Sequence, residues 1–206
     1  MAGILKIRNM NLTRTKIKSR VKFLFEGSAS ALHRAGLNPN SVSALSLLSS
    51  LASAASYLYF REPYFLPPAL LLLLGGFFDG VDGAMAEKYG QKTRFGALLD
   101  STFDRISELA VLSAVIVANL CDLRWGLLAM ATSMMVSYTR ARAEGVGLDM
   151  MGRGIAERPE RTIILALATA LNSVWSEALP LGVVIIGILS TVTFIQRMSY
   201  ARSSLR

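Results

Sequence analysis

The sequence contains little cysteine, histidine or charge. The one cysteine, Cys121, excludes an internal disulfide and a zinc site made of several cysteines. The one histidine, His33, excludes a metal site with several imidazole ligands. Any metal would therefore be held mainly by oxygen atoms, which favour hard cations such as Mg²⁺ or Mn²⁺.

Charged residues make up only 17% of the 206 residues, whereas hydrophobic residues make up 52%. Soluble domains carry about 25% charged residues, so this composition argues against an ordinary soluble protein. It also argues against a disordered chain, which needs the opposite balance. The formal net charge of +8 indicates a binding partner or an orientation only once the positions of the basic residues are known.

Long uncharged runs contain most of the apolar residues. A membrane-spanning helix needs about 20 mostly apolar residues, and the runs 36–60 and 178–196 supply them without one charge. The middle runs reach this length only with their flanking charged turns, and a soluble helical bundle is the alternative. We predict an all-α integral membrane protein with six transmembrane helices, at 39–60, 66–87, 96–120, 124–143, 160–176 and 179–199.

Residues 1–35 form a separate basic segment ahead of the membrane domain, which we place at 36–206. The segment has no long apolar run, so we expect no cleavable signal peptide. Apolar residues from Ile17 to Leu32 recur at helical spacing between basic side chains. This pattern predicts an amphipathic helix on the membrane interface, and a basic segment without defined structure is the alternative.

Most lysine and arginine residues fall on one side of the predicted spans. They lie in the N-terminal segment, the loops after the second and fourth spans, and the tail, whereas the opposite loops contain Arg61 and Arg124. Basic loops stay in the cytoplasm, so we expect both termini on the cytoplasmic side of the cell membrane. Anionic lipid headgroups then account for the charge, and a nucleic-acid partner is not needed.

Four aspartates lie within apolar helices or at their ends, where a charge is costly and usually functional. Asp79 and Asp82 are three residues apart, and Asp100 and Asp104 are four apart. Each pair therefore shares one helix face. A short polar turn over 87–96 separates the pairs, so an antiparallel hairpin would bring both acidic faces together near its cytoplasmic end.

Four carboxylates this close cannot all stay ionised without cations. A pair of divalent metal ions, typically about 3.5–4 Å apart in such sites, would compensate the charge. Gly80, Gly83 and Gly96 leave room beside the acids for a bulky polar ligand. The alternative is a set of solvated carboxylates paired with neighbouring lysine and arginine side chains.

The spacing of these residues resembles the motif of the CDP-alcohol phosphotransferases, D-x2-D-G-x2-A-R followed by G-x3-D-x3-D. The two halves fall at 79–87 and 96–104 of this chain. Glu87 stands where the family has arginine, and Lys88 follows it. Either Lys88 replaces the arginine, or the metal ions alone are enough to bind the phosphates of the CDP-linked substrate.

Shorter stretches resemble the phosphatidylinositol-phosphate synthases and the archaetidylinositol-phosphate synthases, and the likeness runs from about residue 28 to 200. It implies that a CDP-linked diacyl- or dialkylglycerol gives its phospholipid moiety to inositol 1-phosphate and that CMP leaves. It also implies a homodimer. The stretches are 93–96, 104–107, 137–144, 157–161 and 196–197.

The resemblance also implies roles for individual residues. Asp104 would be the catalytic base. The CDP-lipid would contact Gly83, Ala86, Lys88 and Thr93. Two Mg²⁺ or Mn²⁺ ions would be bound by Asp79, Asp82, Asp100 and Asp104.

A phosphorylated acceptor also needs an anion site. Arginine forks suit phosphate, and cytoplasmic arginines come from three separate segments. The alternative is that they set the topology and pair with nearby glutamates. The candidates are Arg140, Arg142, Arg158, Arg161 and Arg197.

Two other functions stay open. One is an enzyme of the same family with glycerol 3-phosphate or serine as acceptor. The other is a cation transporter, which would place its acids near the midplane between repeated halves. The acids of this chain lie at helix ends, and the sequence has no visible repeat.

Overall fold

The computed structural model describes residues 22–59 and 64–205, and within these ranges the protein is α-helical with no β-strand. Residues 1–21, which include the first turn of the amphipathic helix predicted from Ile17 to Leu32, lie outside the described residues. The first helix, α1, covers residues 22–34. The others are α2 (Pro39–Tyr59), α3 (Leu66–Lys88), α4 (Arg94–Val117), α5 (Leu123–Glu144), α6 (Arg158–Leu171) and α7 (Ala178–Ser204).

Each predicted span corresponds to one of the helices α2 to α7. Among the described helices, α2, α3 and α7 are long and apolar enough to cross a membrane. The helix α6 has only 14 residues, fewer than the roughly 20 that a membrane-spanning helix needs. The all-α prediction is therefore confirmed for the described residues, whereas the six-span topology stays a prediction.

Side chains at the helix starts fix where the helices begin. The carboxylate of Asp122 accepts hydrogen bonds from the backbone N–H groups of Arg124 and Trp125 at the start of α5. The hydroxyl of Thr93 accepts a 2.9 Å hydrogen bond from the N–H of Gly96 at the start of α4. These caps satisfy N–H groups that a helix start leaves free.

A row of serines allows α2 and α3 to pack closely. Ser46 and Ser53 of α2 donate 2.8 Å hydrogen bonds to the carbonyl oxygens of Gly75 and Pro68 in α3. A β-carbon on Gly75 would lie 2.6 Å from the hydroxyl oxygen of Ser50 and 3.1 Å from the carbonyl oxygen of Ser46, so a larger residue would force the two helices to shift. The helix α2 also packs against α4, and it thereby holds the two acid-bearing helices in fixed positions.

Candidate active site

The predicted acidic side chains of α3 and α4 meet in the space between these two helices, which both pack against α2. Asp79, Asp100 and Asp104 each present one carboxylate oxygen, and these oxygens lie within 4.8 Å of one another. Asp100 and Asp104 stand on successive turns of α4, as their spacing predicts. Ionised carboxylates this close repel one another, so the cluster requires a positive partner.

In this structure the positive partner is the guanidinium group of Arg158, the first residue of α6. Its Nη1 atom lies 2.7 Å from Asp79 Oδ1 and 2.5 Å from Asp104 Oδ1. The Nη1 atom of Arg105 lies 3.5 Å from the other oxygen of Asp104. The cluster thus attracts cations, and its all-oxygen donor set fits hard divalent ions.

Asp82 lies outside this group of three. Its side chain is 5% exposed, and one carboxylate oxygen accepts a 2.5 Å hydrogen bond from the hydroxyl of Ser43 on α2. The sequence interpretation missed Ser43, because its contact exists only once α2 packs on α3. The structure therefore brings three of the four predicted metal ligands together and orients the fourth through α2.

A pocket of about 240 Å³, here called the α3–α4 pocket, lies beside Asp82 and Asp100. Of the four residues predicted to contact the CDP-lipid, Gly83, Ala86 and Thr93 line it. A β-carbon added to Gly83 would have no neighbour within 4 Å, so open space adjoins the helix at that point.

The structure does not bring Lys88 to the α3–α4 pocket. Its ammonium group instead donates a 2.6 Å hydrogen bond to the hydroxyl of Ser30 on α1. Lys92 lines the pocket, with its Nζ atom 3.4 Å from a carboxylate oxygen of Glu87. The sequence shows that the turn after α3 is basic. It does not show which lysine faces the pocket, because that depends on the fold.

A larger cavity of about 610 Å³, here called the α4–α6 cavity, lies on the other side of the acidic cluster. Asp100 lines both spaces, so ligands bound in the two would meet at its carboxylate. Arg142 is exposed and is not among the lining residues. The predicted metal ligands and predicted phosphate-binding residues that line the cavity are Asp79, Asp100, Asp104, Arg140, Arg158, Arg161 and Arg197, and three glutamates, Glu108, Glu144 and Glu157, line it as well.

Two of these arginines are 2% exposed and held by several protein groups. Arg161 forms a two-pronged ion pair with Glu108, with nitrogen–oxygen distances of 2.6 and 2.9 Å. Arg197 donates to the backbone carbonyls of Arg153 and Val136 and to the carboxylate of Glu157. Both guanidinium groups therefore brace the cavity wall.

Arg140 is held less firmly than the braced pair. Its Nε atom donates a 2.8 Å hydrogen bond to Glu144 one turn later, and its side chain is 35% exposed. An exposed pair of this kind contributes little to stability. Arg140 is therefore available to an anion in the cavity, whereas Arg158 is bound to the carboxylates of Asp79 and Asp104.

Residues 37–198 match the CDP-alcohol phosphatidyltransferase family. The chain belongs to this family. It is 37% identical over 193 residues to the archaetidylinositol phosphate synthase of Pyrococcus horikoshii, covering 93% of this chain and 97% of that protein. It is 36% identical over 186 residues to the phosphatidylinositol phosphate synthase of Mycobacteroides abscessus, covering 85% of this chain and 82% of that protein.

Solved structures of the Mycobacterium tuberculosis phosphatidylinositol phosphate synthase have the same fold. With CDP-DAG bound, that enzyme matches with a TM-score of 0.75 at 34% identity, covering 86% of this chain and 92% of that chain. Its complex with manganese and citrate matches with a TM-score of 0.71 at 33% identity, covering 86% and 88%. The predictions of the family and of a divalent-cation cofactor are confirmed, and an enzyme is favoured over a transporter.

Proposed function

We propose that this protein transfers the phospholipid moiety of a CDP-linked diacyl- or dialkylglycerol to inositol 1-phosphate and releases CMP. One observation carries the proposal: two spaces of different chemistry meet at Asp100. The α3–α4 pocket has small residues beside carboxylates, and the α4–α6 cavity has arginines. Relatives that are 36–37% identical carry the names of synthases of this type.

The donor diphosphate lies at the aspartates, with the nucleotide in the α3–α4 pocket. Gly83 and Ala86 allow close approach to the α3 backbone, and Thr93 marks the start of α4. Asp79, Asp82, Asp100 and Asp104 would hold two divalent cations, Mg²⁺ or Mn²⁺. Such ions, when bound, neutralise the diphosphate and stabilise charge on the departing CMP.

Asp104 takes the proton from the attacking hydroxyl group of the acceptor. Its carboxylate lines the α4–α6 cavity, so it faces the acceptor from the side opposite the nucleotide. The acceptor oxygen forms a bond to the lipid-linked phosphorus, and the bond from this phosphorus to the CMP oxygen breaks. Positioned general bases of this kind contribute about 10²–10⁴-fold to the rate.

The acceptor phosphate is bound by arginines of the α4–α6 cavity. Arg140 contacts it directly, because its side chain is partly exposed, and Arg158 would contact it where the cavity meets the acidic cluster, once divalent cations take over the carboxylates of Asp79 and Asp104. Arg161 and Arg197 are each paired with a glutamate, so their part is to hold the shape of the wall beside the phosphate. Arg142 is left out of the site, since its side chain does not line the cavity.

The protein crosses the membrane six times, with both termini and the active site on the cytoplasmic side, and it forms a homodimer.

The helix α1 lies on the membrane interface. Its side chains Phe23 and Leu24 are 78% and 56% exposed beside Lys22, a pattern typical of helices at lipid headgroups. The basic loops of the chain support the orientation.

Product analysis with the purified protein tests the acceptor. The protein is incubated with a CDP-linked lipid and with inositol 1-phosphate, inositol, glycerol 3-phosphate or serine, and the lipid product is identified by mass. We expect the inositol 1-phosphate product, from CDP-diacylglycerol, its dialkyl counterpart or both. A preference for another acceptor would contradict the inositol-phosphate assignment and leave the family membership intact.

The arginine assignment is tested with the same substrates. Arg140→Ala should raise KM for inositol 1-phosphate by about tenfold, the effect of losing a charge-assisted contact of ~1.5 kcal/mol. KM for the donor should not change, and Arg142→Ala is the matched control. An equal rise of this KM in Arg140→Ala and Arg142→Ala would show that positive charge near the cavity matters and that a direct contact between Arg140 and the phosphate does not.

A further inference from the structure

The helix α1 packs on the part of α3 that carries the acidic residues. The ring of Phe25 lies directly against Gly80, between Asp79 and Asp82 in the sequence. A β-carbon on Gly80 would lie 2.5 Å from Cζ and 2.7 Å from Cε2 of that ring. A side chain at position 80 would therefore require the ring to shift.

Two further contacts fix α1 along α3. Lys88 donates its 2.6 Å hydrogen bond to Ser30, and the ring of His33 stacks on Tyr89 with 3.8 Å between the centroids. Apolar residues fully buried between these points complete the interface, among them Ala29 of α1 and Val81 and Met85 of α3. These contacts hold α1 in place along α3, and the half-buried ring of Phe25 packs against the same cluster.

The geometry of an α-helix shows what the ring does. Successive residues are about 100° apart around the axis, so Gly80 points away from the face that Asp79 and Asp82 share. The ring presses on the back of the turn whose front carries both carboxylates. Those carboxylates meet Ser43 of α2 and Arg158 of α6 on the other side.

We propose that Phe25 is a positioning residue for the metal site. Packed against Gly80, it sets the depth and rotation of the α3 turn that presents Asp79 and Asp82 to the cations. The inference rests on the proposed function, since it assigns α1 a role in the same reaction. The positioning role depends on the contact between Phe25 and Gly80. It does not depend on whether α1 binds lipid.

The test combines substitutions on both sides of the contact, with direct titration of Mn²⁺ binding to the purified protein and with CMP release. Gly80→Ala should weaken Mn²⁺ binding and lower kcat by about tenfold, the usual size of an overpacking effect. Adding Phe25→Ala to it should restore most of the loss. Gly76→Ala, one turn earlier with its nearest neighbour 3.7 Å away, is the matched control and should bind Mn²⁺ normally.

Phe25→Ala alone gives a second test that does not depend on the folding of Gly80→Ala. It should weaken Mn²⁺ binding at least about threefold, because the turn loses its support. Phe23→Ala, on the exposed side of α1, should not. Unchanged Mn²⁺ affinity in Phe25→Ala, or a Gly80→Ala defect that Phe25→Ala does not relieve, would overturn the inference. Absence of CMP release by the wild type would instead overturn the proposed function.

Discussion

Asp79 and Asp104 share one nitrogen atom of Arg158, and this arrangement explains how a cluster of acids exists at the end of apolar helices. A buried or half-buried charge is stable only with a partner. The guanidinium group fills that role, and a divalent cation has the charge and the preference for oxygen to do so as well. Arg158 also lines the α4–α6 cavity, where the acceptor phosphate would bind.

The role of Asp104 as a base leads to a prediction about turnover. Asp104→Asn keeps the shape of the side chain but removes the proton acceptor, so kcat should fall by roughly 10²–10⁴-fold. The measurement is steady-state CMP release at saturating substrate. Asp122→Asn, at the start of α5, is the matched control, because asparagine caps a helix as well as aspartate does. Wild-type turnover in Asp104→Asn would exclude the assignment.

The two lysines after α3 lead to a prediction about the donor. Lys92 lines the α3–α4 pocket, whereas Lys88 is tied to α1. Lys92→Gln should therefore raise KM for the CDP-lipid several-fold, up to the roughly tenfold that a charge-assisted contact contributes. Lys88→Gln is the comparison and should leave the donor KM nearly unchanged. The opposite result would mean that Lys88 replaces the arginine that the family has at Glu87.

At the scale of helices, the site depends on α2 although α2 carries no acid. Ser43 orients Asp82, and the serines that follow at helical spacing bring α3 close enough for this contact. The spacing between α2 and α3 is therefore part of the active site. A small change in the spacing between α2 and α3 should therefore change the position of the Asp82 carboxylate.

Paired glycines in α3 test the importance of this close packing. Gly75→Ala places a methyl group 2.6 Å from the hydroxyl oxygen of Ser50, whereas Gly76→Ala meets only an ordinary contact at 3.7 Å. Overpacking costs about 1–3 kcal/mol, and each kcal/mol lowers the melting temperature of a protein of this size by roughly 2–4 °C. Thermal unfolding in detergent should separate the two variants. Equal melting temperatures would show that α2 and α3 adjust freely.

The helices α2 and α7 are the most predictable, because an uncharged run of about 20 residues has few other stable forms. The acidic cluster is predictable too, since the spacing of Asp100 and Asp104 fixes a common face. The partners of Asp82 and Arg197 are not, because Ser43, Val136 and Glu157 come from distant parts of the chain. The length of α6 also differs from its predicted span, which extended to residue 176 across a turn.

The whole molecule has an orientation that the charge pattern predicts and that labelling can measure. In a Cys121→Ser background, Val174→Cys lies in the turn between α6 and α7, and Ser203→Cys lies at the end of α7. A membrane-impermeant maleimide should label Val174→Cys on intact cells and Ser203→Cys only after permeabilisation. The reverse pattern would place the basic loops and the active site outside the cytoplasm.

The central claim is that the carboxylates of α3 and α4 bind the cations that drive release of CMP from a CDP-linked lipid. Its most direct test is CMP release by the purified protein with CDP-diacylglycerol and inositol 1-phosphate, with and without Mg²⁺ or Mn²⁺, for the wild type, Asp79→Asn and Asp100→Asn. We predict CMP release by the wild type only with metal, and almost none by either variant at any metal concentration. Substantial CMP release by Asp100→Asn, or by the wild type after removal of divalent ions, would contradict the account.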